Sequence, residues 1–425
     1  MKTVCIYTLG CRVNQYESVA IAEALQTRGY TITKDDMACD YYILNTCSVT
    51  GESQRQSRQL ARRFASRGKT AVLGCASQNQ KEDFLSIDGV FYVGGCSDKM
   101  NVVEAVEQAC EADHVADMRG ALYEPMRVCG TSDLFSTCRA FIKIQDGCNG
   151  VCTYCIIPTL RGKSRTRPAD EIVEEARRLV RAGYREIVLT GIETSAYGTK
   201  PLAELIVRLG ALKEEGLARV RLGSLSLGTI GETFLNAIAA SQNFMPHLHL
   251  SLQSGSTRVL GIMRRPYTRE LALAKIALVR EKLPHVQISA DMITGFPTET
   301  EDEYLETELF VVESGLMHVH AFPYSEREGT PAATMEGAVP KEVRKERCAR
   351  LNAVSAACCD RILSSFEGKT VRVLVEQIKK GMANGHTEEF LECVFPAENA
   401  SVGAIVSVAV SGHENGHLIG KELIR

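Results

Sequence analysis

Three cysteines stand close together in the run Asp146-Gly147-Cys148-Asn149-Gly150-Val151-Cys152-Thr153-Tyr154-Cys155. Thiolates are soft ligands for iron and zinc. Three of them on one glycine-containing loop suit a 4Fe–4S cluster held at three corners, its fourth iron open to another ligand. A structural zinc ion wants four protein ligands, and no fourth cysteine or histidine stands close to this run. A second set is spread along the chain: Cys11 after Leu9-Gly10, Cys47 after Asn45-Thr46, and Cys75 after Leu73-Gly74. Each follows an apolar run that reads as a strand. Strand ends of a parallel sheet share one edge, so these three thiols are expected to converge. A second three-cysteine 4Fe–4S cluster is the natural product.

The elements that must position these loops can be read from periodicity. Residues 3–9, 41–45, 70–73 and 89–93 read as buried strands, alternating with helices at 17–28, 53–67 and 99–110. That alternation predicts a parallel-sheet α/β domain over residues 1–112, followed by a linker at 111–138. A second alternation places strands at 140–145, 186–190, 219–222, 247–252, 286–291 and 317–322, with helices such as 169–182 and 269–283 between them. Six β-α units predict a partial (β/α) barrel, here residues 134–366, with chemistry at the C-terminal strand ends. A long helix is predicted over 341–366. From 367 to 425 short β-rich runs at 370–376, 389–394, 405–410 and 417–423 predict a small all-β barrel or sandwich. The predicted fold class is therefore α/β: an N-terminal parallel-sheet domain, a central partial barrel and a small C-terminal all-β domain.

Lys+Arg is 49 against Asp+Glu 52, a net charge of -3, which excludes a globally basic nucleic-acid binder but leaves room for a local basic face. No apolar run reaches the roughly 18 residues of a membrane span. The N-terminal apolar stretch is too brief for a signal peptide. A cytoplasmic protein without a membrane partner is expected. In such a chain 16 cysteines point to metal or reactive thiols rather than disulfides. Cys5, Cys39, Cys96, Cys110, Cys129, Cys138, Cys348, Cys358, Cys359 and Cys393 read as small buried hydrophobes. His318-Val319-His320 reads as a packed β pair.

The three-cysteine run at the end of the first barrel strand resembles the radical S-adenosylmethionine (SAM) superfamily. In that family the open iron chelates SAM, and an electron from the cluster cleaves it to methionine and a 5′-deoxyadenosyl radical. The resemblance implies that Tyr154 lies near the adenine. Thr190-Gly191-Ile192-Glu193 resembles the family's Gly-Gly-Glu element, with one glycine beside the glutamate, and implies that Glu193 meets the SAM amino group. Ser251 and Gln253 offer polar groups to ribose or carboxylate, and Asp291 opens a segment similar to the adenine contact.

The order TLGCRVNQYES, LNTCSVT, GCASQ and DGCNGVCTYCIIPTLRGKSRTR resembles the radical SAM methylthiotransferases along the whole chain. Those enzymes have an N-terminal methylthiotransferase domain, a radical SAM barrel and a C-terminal TRAM domain. The resemblance implies that Cys148, Cys152 and Cys155 hold the SAM cluster. Cys11, Cys47 and Cys75 then hold an auxiliary cluster that carries the sulfur. Two 4Fe–4S clusters and SAM are the implied cofactors, with an external electron donor of flavodoxin or ferredoxin type and a sulfur source. No catalytic side chain beyond the cluster ligands is implied. The bond attacked is an unactivated C–H bond, which acid–base chemistry does not break.

Members of this family modify tRNA adenosines beside the anticodon or an aspartate of a ribosomal protein. Two basic groups favour tRNA. Arg55, Arg58 and Arg62 share one helix face, with Arg63 and Arg67 behind them. Arg161, Lys163, Arg165 and Arg167 follow the three-cysteine loop. With Lys379 and Lys380, Arg55, Arg58, Arg62, Arg161, Lys163 and Arg165 are the candidate RNA contacts. The C-terminal segment has eight acidic against six basic residues, which keeps a protein substrate in view. Asn-Thr-Cys-Ser-Val-Thr with Ser57-Arg58 and Arg62-Arg63 looks most like the MtaB group, which converts N6-threonylcarbamoyladenosine of tRNA to its 2-methylthio derivative. The alternatives are N6-isopentenyladenosine of tRNA, the ribosomal aspartate, or a non-catalytic iron–sulfur RNA-binding protein.

Overall fold

The structure is a computed structural model that describes residues 2–33, 38–97, 99–108, 115–117 and 138–423. Most of the predicted linker, the end of the third predicted helix, Cys110 and Cys129 lie outside the described residues. The N-terminal sheet contains β1 (Thr3–Thr8), β2 (Thr31–Thr33), β3 (Tyr41–Thr46), β4 (Lys69–Gly74), β5 (Val90–Gly94) and β6 (Val115–Asp117). All pairings are parallel, in the order β2-β1-β3-β4-β5-β6. The four predicted strands are present. The two edge strands are three residues long, too short to carry a periodic signal. Every residue of β3 is buried because helices cover both faces. Tyr16, Ile21 and Leu25 of helix Arg12–Thr27 pack on Ile6 and Ile43. Leu60 and Phe64 of helix Gly51–Ala65 pack on Leu44 and Val72. Thr50 starts the latter helix with a capping box to Ser53.

The central domain contains β7 (Arg139–Lys143), β8 (Gln145–Asp146), β9 (Arg165–Thr166), β10 (Glu186–Thr190), β11 (Arg219–Leu222), β12 (His247–Gln253), β13 (Gln287–Thr294) and β14 (His318–Pro323). Two parallel three-stranded sheets, β7-β10-β11 and β12-β13-β14, are joined by bridges from Val220 to Phe244 and from Leu225 to Leu250. The result is a six-stranded open barrel. The first predicted barrel strand is broken at Ile144: its N–H bonds to Thr190 O at 2.9 Å, and the chain then leaves the sheet to pair β8 antiparallel with β9. Helix Lys341–Ser364 lies along β14, with Ser355 Oγ accepting from Val319 N at 2.8 Å.

The C-terminal strands β15 (Thr370–Lys379), β16 (Met382–His386), β17 (Glu392–Pro396), β18 (Ile405–Glu414) and β19 (His417–Glu422) close into a barrel. Val373, Val375, Ala383, Cys393, Phe395, Val408 and Leu418 fill it. Strand β16, Met-Ala-Asn-Gly-His, lacks apolar alternation, so the sequence reading passed over it. This barrel caps the end of the central domain away from the cysteine loop. Arg219 donates to Arg372 O at 2.8 Å, and Arg221 to Thr387 O at 2.7 Å. Phe390, held at φ 70, stacks on the His247 ring with centroids 4.9 Å apart. Among the described residues no helix is long and apolar enough to cross a membrane.

Candidate active site

The loop after β8 is shaped by glycine. Gly147 has φ 70, and a Cβ there would meet Lys163 O at 2.2 Å. Cys148 N donates to Gly162 O at 3.0 Å, which ties the loop to the chain entering β9. A Cβ at Gly150 would sit 3.1 Å from Cys148 Sγ and 3.9 Å from Cys152 Sγ, so glycine keeps the space beside both sulfurs open. Gly147→Ala combines a strained φ with a backbone clash. The expected result is loss of this loop's metal, seen as a fall of about four irons per chain on anaerobic reconstitution.

Further residues hold the loop. Arg265 donates to Cys152 Sγ at 3.5 Å and to Ser251 O at 2.9 Å, and its Nε faces Tyr267 OH at 3.3 Å. Gln145 Nε2 donates to Gly147 O at 2.6 Å and to Ser164 Oγ at 3.0 Å, while its Oε1 accepts from Glu193 N at 2.8 Å. A Cβ at Gly191 would come 2.9 Å from that Gln145 oxygen, so this glycine lets β10's end approach the loop. Burial first, then the Glu193 carboxylate and Cys152, raise the Cys148 thiol. Burial pushes Cys155 up to about 11, with Cys152 and Cys148 adding to it. Such sulfurs ionise only against a cation, as a metal cluster provides. Tyr154 packs edge-on to Phe296, centroids 6.4 Å apart.

The structure thus gathers Tyr154, Thr190, Gly191, Glu193 and Ser251 with the three cysteines. Asp291 is engaged elsewhere, its Oδ2 3.1 Å from His249 Nε2. Gln253 stands at the end of β12 with φ 69, beyond a bulge. His318 and His320 lie edge-on with centroids 4.5 Å apart on the exposed face of β14. Sequence reasoning missed Gln145; it sets Met263-Arg264-Arg265-Pro266-Tyr267 near the active site by resemblance but gives Arg265 and Tyr267 no individual role, because that depends on contacts across the barrel.

At the N-terminal sheet's C-terminal edge, Cys11, Cys47 and Cys75 stand near enough to act on one another electrostatically, although among the described residues no group of three such side chains is placed to hold a metal ion. A Cβ at Gly10 would lie 2.6 Å from Cys47 Sγ. Burial pushes Cys47 up to about 11, and Cys75 and Cys11 add to that. A fourth thiol stands with them: Cys96 Sγ lies 3.8 Å from Cys75 Sγ. The sequence alone reads Cys96 as a small buried residue, although it follows the end of β5 as the other three follow the ends of their strands. The Cys75–Cys96 bond lowers Cys75, helped by Arg161 and Lys99, and raises Cys96.

The two cysteine sets meet through one helical turn. Cys75 and Cys96 pack with Ile156 and Leu160, which directly follow Cys155. Next along is Arg161, which corrects an expectation: it is fully buried and not available to RNA. It donates to Asp146 at 3.0 Å, to Glu17 at 3.2 Å and to Asn14 at 2.8 Å. Lys143 bonds Glu17 at 2.9 Å and Asp146 at 3.2 Å. Lys99 bonds Glu17, and Asn45 at 2.8 Å. These five ionic side chains are at most 2% exposed, and three cations face two carboxylates. A buried excess of positive charge needs an anion, and the lowered Cys75 thiol beside Arg161 and Lys99 is one. Arg161 Nε also has no hydrogen-bond partner among the described residues. An iron–sulfur cluster held by thiolates here would add negative charge and a sulfur acceptor for Arg161 Nε, although among the described residues the thiols as they stand are not grouped to hold a metal ion.

Of the other candidate RNA contacts, Arg165 reaches into this core, 3.7 Å from Asp146, and the rest lie outside it. Arg55 is exposed and bonded to Glu52 at 3.0 Å; Arg58 donates to Gln80 at 2.7 Å. Arg62 and Lys163 are exposed, and Arg165 is part-buried. Lys379, which ends β15, and Lys380, in the turn that follows, are exposed.

A family model described as the radical SAM superfamily matches residues 142–311, and one described as uncharacterized protein family UPF0004 matches residues 3–95. The threonylcarbamoyladenosine tRNA methylthiotransferase MtaB of Bacillus subtilis is 36% identical, covering 96% of this chain and 94% of that protein. The protein of the same name from Chlamydia pneumoniae is 34% identical, covering 99% and 97%. The tRNA-2-methylthio-N(6)-dimethylallyladenosine synthase of Staphylococcus haemolyticus is 32% identical, covering 96% and 82%. Among solved structures, the radical SAM methyltransferase TsrM from Kitasatospora setae aligns with a TM-score of 0.59 at 15% identity, over 78% of this chain and 74% of that one, a likeness of fold. With relatives of this identity spanning nearly its full length, the chain belongs to the radical SAM methylthiotransferase family.

Proposed function

We propose that the protein converts N6-threonylcarbamoyladenosine, on the 3′ side of the tRNA anticodon, to 2-methylthio-N6-threonylcarbamoyladenosine. The relatives named MtaB support this substrate. The observation that carries the chemistry is the packing of Cys75 on Ile156 and Leu160, the turn that directly follows Cys155. Family membership brings a 4Fe–4S cluster and SAM; the second cluster is our reading of Cys11, Cys47 and Cys75. When bound, the first group supplies a radical able to break a C–H bond and the second supplies the sulfur.

The chain's own residues then have distinct tasks. Cys148, Cys152 and Cys155 hold one cluster on a loop braced by Gln145 and Arg265. Tyr154, Thr190, Gly191, Glu193 and Ser251 surround SAM, with Gln253 at the end of β12, while Asp291 is held by His249 within the barrel. The apolar turn at Ile156 and Leu160 keeps water from between the sites. Arg55, Arg58, Arg62, Lys163, Arg165, Lys379 and Lys380 meet the tRNA backbone. An electron donor of flavodoxin or ferredoxin type, a sulfur source and a cytoplasmic setting complete the reading. Lys163→Ala is expected to weaken tRNA binding alike for all sequences, and to lower the slope of log K against log salt by about 1.

The test is a nucleoside digest of tRNA from cells lacking the protein. Loss of 2-methylthio-N6-threonylcarbamoyladenosine is expected. Unchanged nucleosides would reject a tRNA substrate. Loss of the 2-methylthio isopentenyladenosine product instead would favour the second reading, which the synthase from Staphylococcus haemolyticus supports by its name.

A further inference from the structure

Alternation along four barrel strands sorts their side chains. Ala140 and Ile142 of β7, Leu248 and Leu250 of β12, Ile288 and Ala290 of β13 and Val319 of β14 belong to the packed core. Their chain neighbours Phe141, His249, Ser289, Asp291, His318 and His320 therefore face the solvent-open interior of the barrel. Across β12, β13 and β14 this inner wall is polar and connected. His249 Nδ1 lies 2.8 Å from Ser289 Oγ, its Nε2 lies 3.1 Å from Asp291, and its ring centroid is 5.4 Å from that of His320. Among the described residues no such group is placed to hold a metal ion. The wall suits hydroxyl, amide and carboxylate groups and suits an isopentenyl chain poorly, because an apolar group there would strip water from polar atoms without replacing their hydrogen bonds.

Strands β7 and β14 are the two unpaired edges of this open barrel. At the β7 edge the guanidinium of Arg12 lies over the Phe141 ring, 5.0 Å from its centroid. Arg12 opens helix Arg12–Thr27 directly after Cys11 and is exposed. It donates to the neutral Gln15 Oε1 at 2.8 Å, and among the described residues no carboxylate forms an ion pair with it. Glu376, the carboxylate whose charge acts on it, is already bonded to Arg139 and His386. A cation is thus laid on an aromatic face at the entrance to a polar chamber, with its charge unmatched.

We propose that Arg12 takes the carboxylate of the substrate's threonylcarbamoyl group and so selects that substituent over an uncharged one. The inference rests on the reading of threonylcarbamoyladenosine as the substrate. That carboxylate is the one anion of the modified base, and a guanidinium matches it with two parallel N–H donors. An isopentenyl group offers no acceptor, so it would leave Arg12 unmatched against the polar wall.

The test measures binding of anticodon stem-loop RNAs to the anaerobically reconstituted full chain. The adenosine carries threonylcarbamoyl, the methyl ester of the same group, or isopentenyl. The parent chain is expected to bind the acid at least about tenfold more tightly than the ester. Arg12→Gln is expected to weaken the acid by about tenfold and to leave the ester unchanged, so that the preference disappears. Arg12→Lys, which keeps the charge but not the fork, is expected to retain part of the preference and guards against a folding defect in the glutamine variant. An acid-to-ester preference that survives Arg12→Gln would overturn the proposal. Equal weakening of all three RNAs would also overturn it, since that is the mark of a phosphate contact. A parent chain that methylthiolates the acid yet binds acid and ester alike would overturn it while leaving the substrate reading in place. A parent chain that methylthiolates the isopentenyl RNA and not the acid would overturn the substrate reading, and the proposal with it.

Discussion

Replacing Cys148, Cys152 or Cys155 with alanine is expected to reduce reductive SAM cleavage to background, a loss of at least about 1,000-fold. Replacing Cys11, Cys47 or Cys75 is expected to leave that cleavage in place and to stop formation of the 2-methylthio product. The asymmetry follows from placement. The first three thiols share a loop with Tyr154 and are braced by Arg265 on Cys152 and Ser251. The second three follow strands of another sheet, and of them Cys75 packs on Ile156 and Leu160, which directly follow Cys155. The measurement is 5′-deoxyadenosine and modified nucleoside, quantified in the same reaction. If both sets of variants lose both products alike, the division of labour is wrong.

Glu17→Ala is expected to destabilise the protein by about 3–5 kcal/mol, because it strands buried cations that lose their shared partner. Glu17 is 1% exposed and touches Lys99, Lys143 and Arg161. Lys143 and Arg161 belong to the central domain, so the carboxylate also pins that domain to helix Arg12–Thr27. Burial alone would raise the Glu17 carboxyl, but Arg161, Lys143 and Lys99 together overturn this and hold it well below the usual carboxylate range. A carboxyl with a depressed folded value binds its proton more readily when unfolded. Its contribution is therefore complete above the ordinary value of 4.5 and drains away as the pH falls from there through the depressed folded value. Denaturant unfolding at pH 7 reads the loss directly, and a pH series down to 3 is expected to show a shallower acid slope in Glu17→Gln than in the parent chain. A midpoint unchanged by Glu17→Ala would show that the network does not hold the domains together.

What the sequence discloses depends on how local the physics is. The Cys148–Cys155 loop is legible because its ligands are neighbours in the chain. Cys11, Cys47 and Cys75 are legible one step further out, because a parallel sheet brings strand ends to one edge whatever the connections between them. Cys96 obeys the same rule and was passed over because no resemblance pointed to it. Arg161 illustrates the opposite case. Its charge is visible in the sequence, but its partner Glu17 is 144 positions away, and only folding shows that the guanidinium is spent inside. Gln145 is likewise mute until β8 leaves the sheet and brings its amide to Glu193. In the C-terminal barrel, β16 stayed hidden because its pairing is imposed by its neighbours β15 and β17 rather than by its own apolar pattern.

The central claim is that six thiols from two separate sheets form two cluster sites. Chemical analysis of iron and acid-labile sulfide in the anaerobically reconstituted full chain, with iron-57 Mössbauer spectra of the same sample, tests it most directly. The account predicts about eight irons and eight sulfides per chain, with every iron in a cubane environment. About four irons, or zinc bound at Cys11, Cys47 and Cys75 in their place, would contradict it.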